Sequence, residues 1–260
     1  MKKYEYAMCM PKRLPQSKQV AAAKTAAEQN PMNLPPQRGM DRLGIAPTRQ
    51  RIAVITTKYW GAAGIKLTVG FMDGPSTTLR KKILEHMNAW SKTANIKFTF
   101  TNTDPQVRIT RLPGDGHWSY VGTDVLHIPK NEATMNLDDF SMSTPDSEFF
   151  RVVRHETGHT IGCPHEHMRR AMVNRIDKQK AIDFYGATQG WTPDEVLRQV
   201  LTPIEEAALM TTPKADETSI MCYQIPGTLT TDGKPIMGGK NINKTDASFI
   251  GKIYPKPKKL

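Results

Sequence analysis

Residues 154–167 read RHETGHTIGCPHEH, and this stretch holds four of the seven histidines of the chain. The spacing predicts a helix, which advances about 100° per residue. His155 and His159, four residues apart, then point to nearly the same side and can each offer one ring nitrogen to a single metal ion. The stretch therefore predicts a helix that carries a metal site.

The turn after this helix can add a third imidazole. Gly162 can adopt the left-handed backbone that ends a helix, and Pro164 discourages its resumption, so His165 can return to the same point. Three neutral imidazoles with a fourth position left open form the ligand set of catalytic zinc. Glu156 projects beside them and can take a proton from the zinc-bound water, which is a chemistry suited to amide hydrolysis.

Short apolar runs in front of this helix predict a sheet of about five strands. The runs are Leu67–Phe71, Ile96–Phe100, 107–110, 118–122 and 125–128. Apolar side chains at helical spacing predict a further helix over residues 75–91. Thr144 and Pro145 have the residue types of an N-cap and a first helical position, so they predict the start of the histidine-bearing helix.

Residues 1–50 differ in composition from the rest of the chain. Prolines interrupt an Ala- and Lys-rich piece, AAAKTAAEQ, that predicts one short helix. We expect an N-terminal arm or pro-like segment over residues 1–50, followed by one catalytic domain over residues 51–260. Cys9 lies in this arm.

Composition limits the other classes of function. The net charge of +11 can mark a nucleic-acid or anionic-surface binder, but the basic residues are spread along the chain, which favours a solvated basic exterior. No apolar run has the length of a membrane helix. The N-terminus lacks the apolar core of a secretory signal, so we expect a cytoplasmic protein or export by a non-standard route.

The motif H-E-x-x-H-x-x-G-x-x-H over residues 155–165 resembles the signature of metzincin zinc proteases. The sequence SIMCY at 219–223 is similar to the Met-turn of astacin-like metzincins. The resemblance covers about residues 67–254. It implies a zincin-like α+β fold, with a mixed sheet, a backing helix and an active-site helix in an upper subdomain (about 51–162). A smaller lower subdomain (about 163–260) carries the Met-turn.

The resemblance also implies roles for single residues. Met221 lies under the metal, Tyr223 acts as an extra ligand and as a hydrogen-bond donor to the oxyanion, and Glu166 follows the third histidine as it does in astacin-like proteases. In secreted astacins the counterpart of Glu166 is tied to the amino group of a trimmed chain. The implied edge strand that pairs with substrate consists of Trp118, Ser119, Tyr120, Val121 and Gly122.

Four residues depart from the astacin pattern or extend it. We expect Cys163 and Cys222 to be small buried side chains, not a disulfide, and His167 to lie behind the ligands or on the surface. The thiolate of Cys9 can be a fourth zinc ligand that blocks the water site until the arm moves, or it can be an idle cysteine on a tail.

The remaining histidines have spacings that indicate structural roles, not a second metal; they are His86, His117 and His127. The acidic run at 134–139 lacks the EF-hand spacing, so calcium is unsupported. We therefore predict a zinc-dependent endopeptidase that cuts peptide or protein substrates with Glu156 as general base. The alternative is a zinc-holding protein that binds peptides or a surface without proteolysis.

Overall fold

The computed structural model describes residues 9–35, 56–204, 212 and 214–257. The predicted boundary between arm and domain at residue 50 lies outside the described residues. Within these ranges, no helix is long and apolar enough to cross a membrane.

A mixed sheet of five strands forms the upper part of the molecule, as the sequence predicts. The strands are β1 (Ile65–Phe71), β2 (Ile96–Phe100), β3 (Val107–Thr110), β4 (Trp118–Ser119) and β5 (Met135–Asn136). Their order is β2-β1-β3-β5-β4. All neighbours pair in parallel except β4, which runs antiparallel to β5 and forms one edge of the sheet.

The strand predicted over residues 125–128 is wrong. These residues lie at the end of a 3₁₀ helix, Gly122–His127, in which the Asp124 amide donates to the Val121 carbonyl. Four alternating residues are too few to separate a strand from a helical turn. The fifth strand is instead Met135–Asn136, within a run whose acidic residues favoured a loop reading.

The helix predicted over residues 75–91 is α2 (Thr77–Met87), followed by a 3₁₀ turn, Asn88–Lys92. The Ser76 hydroxyl caps its start by accepting the Leu79 amide. Leu79, Ile83 and Met87 are buried against the sheet. The backing helix is therefore positioned by its apolar face.

The histidine-bearing helix starts one residue later than predicted. It consists of Asp146–Glu148, a π-helical turn Phe149–Val153 and α3 (Arg154–Thr160). Pro145 occupies the cap position, because the Thr144 hydroxyl accepts the Ser141 amide instead. The Trp90 indole donates to the Arg154 carbonyl and so ties α3 to the backing helix region.

The lower part contains mostly helices and a second apolar cluster that includes Met172, Tyr185, Val196 and Ile225. Its helical segments are Arg170–Val173, α4 (Lys178–Gln189), Pro193–Val196 with the π turn Leu197–Leu201, and α5 (Lys244–Ile253). In the described ranges, Cys163 and Cys222 are free and buried in different apolar clusters, in agreement with the prediction that they do not form a bridge.

The described part of the arm packs on the catalytic domain. Its predicted helix is α1 (Gln16–Gln29). After α1 in the chain, the fully buried Asn33 side chain donates to the Tyr59 carbonyl (2.7 Å) and accepts from the Tyr59 amide (2.9 Å). The Trp60 indole next to Tyr59 donates to the Thr160 carbonyl at the end of α3. The arm therefore contacts the segment that lies against the active-site helix.

Candidate metal and catalytic site

Three imidazoles meet at one buried point, as the motif predicts. His155 and His159 come from α3, and His165 returns after the turn. His165 Nε2 lies 3.1 Å from His155 Nε2 and 3.0 Å from His159 Nε2. These separations are close to the value of about 3.3 Å between nitrogens bound tetrahedrally to one zinc ion.

Backbone carbonyls fix the tautomers of two of these rings. His155 Nδ1 donates to the Ile220 carbonyl (2.6 Å), and His159 Nδ1 donates to the Cys163 carbonyl (2.8 Å). Because a carbonyl only accepts, Nε2 of each ring keeps a lone pair that faces the shared point. Burial lowers the pKa of His155 to about 4 and lowers those of His159 and His165 as well, so all three rings are neutral at pH 7.

Glycine makes the turn and the helix packing possible. Gly162 has φ of +106°, and a Cβ there would lie 2.7 Å from the Tyr59 ring. Gly158, on α3 between the two histidine ligands, faces Met221, whose sulfur would overlap an added Cβ. The Met-turn therefore packs directly against the helix that carries His155 and His159.

Cys9 reaches the same point from the arm. Its Sγ and the ring nitrogens of His155, His159 and His165 all lie within 4.8 Å of one another, and within the described residues this is the group of side chains that fits a metal ion. Cys9 Sγ also donates to Glu156 Oε2 at 3.2 Å. Three imidazoles and one thiol are nitrogen and sulfur donors, so the site suits zinc.

Glu156 is almost fully buried beside the ligands. Burial raises its pKa to about 8, against the lowering effects of the Cys9 hydrogen bond and of Arg151. Oε1 makes no hydrogen bond to the described residues. Cys9 is therefore the hydrogen-bond donor to this carboxyl group within the described residues.

Tyr223 lies against the histidines. Its ring stacks on His167 at 3.9 Å and lies 4.3 Å from His165, while its hydroxyl has no hydrogen-bond partner among the described residues. Burial raises the pKa of the phenol, so it remains a neutral donor. His167 is fully buried and hydrogen-bonds the Gln199 carbonyl, so it lies behind the ligands and not on the surface.

Glu166 connects the third ligand to the Met-turn. Its amide donates to the Met221 carbonyl (2.8 Å), and its carboxylate accepts the Asp216 amide (3.0 Å) and an Arg169 guanidinium N–H (3.3 Å). Burial raises the pKa of this carboxylate. Glu166 also lines a small cavity together with Cys163 and Met221.

One residue that positions the site was not found by sequence reasoning. Asp246, near the start of α5, accepts from the Ser219 hydroxyl (2.6 Å) and from the Ile220 amide (3.0 Å). Since Ile220 holds His155, Asp246 anchors the backbone that orients a ligand. The available signal was the capping-box spacing of Asn243 and Asp246.

The five residues predicted to form the edge strand adopt two different backbone conformations, strand and 3₁₀ helix. Trp118 and Ser119 form β4, and Tyr120 continues its pairing through its amide to Thr134. Gly122 has φ of +50° and begins the 3₁₀ helix. On the free edge of β4, the Met10 amide donates to the His117 carbonyl (3.1 Å) and the Lys12 amide to the Ser119 carbonyl (3.0 Å).

A cleft of about 720 Å³ opens beside these groups. Its walls include Cys9, His155, Glu156 and Tyr223, together with Arg151 from the helix. The Arg151 guanidinium is paired with Glu148 at 2.5 Å. His155, the Glu156 carboxyl group and the Tyr223 phenol thus share one cleft that is large enough for a peptide side chain.

Comparison with known proteins places this site in a family context. The family model described as Astacin, a peptidase family, matches residues 54–225. Zinc metalloproteinase nas-27 of Caenorhabditis elegans is 26% identical over 187 residues, which cover 62% of this chain and 41% of that protein. The chain therefore spans less than half the length of this curated relative.

Two solved structures of myroilysin are also similar, each at 35% identity. One superposes with a TM-score of 0.72 and covers 77% of this chain and 97% of that chain. The other has a TM-score of 0.59 and covers 76% and 86%.

Proposed function

The chain belongs to the astacin family of peptidases, and we propose that it is a zinc-dependent endopeptidase that cleaves peptide or protein substrates. One observation carries this proposal. Three neutral imidazoles converge through Nε2 beside the buried carboxylate of Glu156, at the wall of an open cleft. This is the arrangement that hydrolysis of an amide requires.

His155, His159 and His165 hold the single catalytic zinc, and their carbonyl-bound Nδ1 atoms keep the rings of His155 and His159 oriented. When bound, the ion supplies a Lewis acid that lowers the pKa of a coordinated water to about 7 and polarises the scissile carbonyl. Met221 forms the floor of the site through its contact with Gly158. Glu166 holds the turn after His165 against the Met-turn backbone.

Glu156 is the general base. Its carboxylate lies beside the ligands and takes the proton of the attacking water, then returns it to the leaving amine. The unpartnered Oε1 and the exchangeable Cys9 contact at Oε2 support this role, because neither oxygen is committed to a permanent donor among the described residues.

Tyr223 donates a hydrogen bond to the carbonyl oxygen as negative charge develops on it. A neutral phenol aimed at developing charge stabilises the transition state more than the ground state. Two observations support this role: the hydroxyl has no partner in the described part of the chain, and the ring rests on His167 beside His165.

The substrate binds as an added strand along β4. The arm already pairs with this edge through Met10 and Lys12, so the His117 and Ser119 carbonyls that accept from the arm can hold an extended peptide once the arm leaves. Backbone pairing positions the peptide, while pockets beside it accept side chains.

The arm makes the full-length protein latent. Cys9 occupies the position that a fourth zinc ligand needs, and its thiol also engages Glu156. Cys9 therefore blocks both the fourth ligand position of the zinc site and the Glu156 base. Displacement of the arm, or replacement of Cys9, is expected to release activity.

The test is cleavage of a quenched fluorescent peptide library by the purified protein and by its Glu156→Ala variant, each with measured zinc content. Because the arm makes the protein latent, we expect little cleavage by the unmodified protein and chelator-sensitive cleavage by its Cys9→Ala form. Adding Glu156→Ala to that form is expected to abolish cleavage while the zinc content stays the same. Silence of both forms at full zinc occupancy would favour a zinc-holding peptide-binding protein, and absence of zinc would overturn the proposal.

A further inference from the structure

The charge of this chain is distributed unevenly along its sequence. Residues 104–148, which contain the edge strand, carry eight acidic and three basic side chains, a net charge of −5 in a chain of net charge +11. Acidic charge reaches the edge strand itself, because Glu132 and Asp124 add to burial in raising the pKa of Tyr120. The segment 104–148, called the rim below, is therefore acidic within a basic protein.

The Lys12 ammonium group of the arm contacts this rim. Lys12 Nζ lies 4.2 Å from the centre of the Trp118 ring. The same indole donates its N–H to Asp115 Oδ2 at 2.7 Å. An ammonium over the face of Trp is attracted by the ring electrons, and the adjacent carboxylate strengthens the negative potential at that place. Trp118 and Asp115 thus form a binding site for a cation.

The geometry of β4 makes this cation-binding site accessible to any strand that replaces the arm. Successive side chains of a strand alternate between its faces. Ser119 points to the helix side, where its hydroxyl contacts that of Thr160 (3.1 Å), so Trp118 lies on the opposite face. The Lys12 amide bonds the Ser119 carbonyl, which sets the position of the cation along the edge.

We propose that Trp118 and Asp115 form a specificity subsite beside the cleft, next to its wall residue His117, that selects a lysine or arginine of the substrate. The selected residue lies about two to four residues from the scissile bond, because Lys12 stands three residues from Cys9 at the metal site. Lys12 occupies the subsite in the latent protein and is replaced by the substrate cation. The inference rests on the proposed endopeptidase function, since it assigns a substrate class to the same cleft.

The charge of the arm agrees with this assignment. Its described residues 9–35 carry four basic side chains and one acidic side chain. Within the described ranges, Lys12 makes no ion pair, and the Trp118 ring is its direct partner. The arm therefore places a cationic side chain at the rim, as we expect a substrate to do.

The test measures peptide binding and does not depend on turnover. Zinc-loaded full-length protein with Cys9→Ala and Glu156→Ala is titrated with fluorescent peptides, and anisotropy gives each dissociation constant. A single position, about two to four residues from a fixed cleavable pair, carries Lys, Gln or Glu. The arm competes equally with every peptide, so the ratios between peptides are unaffected by it.

We expect the Lys peptide to bind about two- to fivefold more tightly than the Gln peptide at one position, and the Glu peptide more weakly than both. Trp118→Leu should abolish this ratio, and Asp115→Asn, which keeps the ring, should reduce it. The exposed Asp183 on α4 provides a control for loss of charge, and Asp183→Asn should leave the ratio unchanged. Higher salt should weaken the preference.

Equal binding of Lys and Gln peptides at every position would overturn the inference, and so would a preference that survives in both Trp118→Leu and Asp115→Asn, or a failure of all peptides to bind. Cleavage by the Cys9→Ala protein with Glu156 intact is measured in parallel. Cleavage without a Lys preference contradicts the subsite alone. A Lys preference without cleavage contradicts the endopeptidase function alone.

Discussion

At the scale of single residues, two buried phenols allow the hydroxyl proposed to be catalytic to be compared with a packed one. Tyr223 and Tyr185 are both buried, and neither hydroxyl has a partner among the described residues. Tyr223 lies against His165, whereas Tyr185 stacks on Trp191 in the lower cluster. We expect Tyr223→Phe to lower kcat about 100-fold with little change in KM, because its hydrogen bond forms in the transition state.

Tyr185→Phe is the matched control, since it removes the same hydroxyl outside the cleft and should leave kcat unchanged. Both variants are measured as zinc-loaded Cys9→Ala protein with one peptide substrate. Equal kcat for Tyr223→Phe and its parent would show that the phenol has no part in catalysis. A rise in KM alone would assign Tyr223 to substrate binding.

At the scale of elements, the contact between α3 and the Met-turn tolerates no side chain at Gly158. An added Cβ would overlap the Met221 sulfur, so Gly158→Ala should destabilise the protein by about 1–3 kcal/mol. Gly186 on α4 meets only an atom at 3.6 Å, so Gly186→Ala should stabilise by up to about 1 kcal/mol through helix propensity.

Urea unfolding midpoints of the zinc-loaded proteins measure both changes. The expected shifts have opposite signs, which separates packing at the Met-turn from the general effect of a Gly-to-Ala change. Stabilisation of similar size in both variants would mean that Met221 does not press on α3.

The sequence predicted those features whose determinants are close together in the chain. His155, His159 and His165 lie within eleven residues, and helix geometry with the turn at Gly162 is enough to bring them together. Cys9 and Glu156 are 147 residues apart, so their contact depends on how the arm pairs with β4, and the sequence left two readings of Cys9 open. The two-residue strand β5 has no period to detect.

At the scale of the whole molecule, the arm, the edge strand and the active-site helix form one connected arrangement. The arm strand pairs with β4, and the arm is anchored through Asn33 to Tyr59, beside the end of α3. Lys12 and Cys9 thus reach the rim and the metal point from a single segment. Latency and substrate selection are therefore proposed to use the same groove.

The central claim is that His155, His159 and His165 hold one zinc ion and that Cys9 is its displaceable fourth ligand. Zinc K-edge X-ray absorption of the full-length protein tests this most directly. We predict three nitrogen neighbours at about 2.0 Å and one sulfur at about 2.3 Å, with the sulfur lost in Cys9→Ala while the zinc content stays at one per chain. A sulfur signal that survives in Cys9→Ala, or a full-length protein that binds no zinc, would contradict the account.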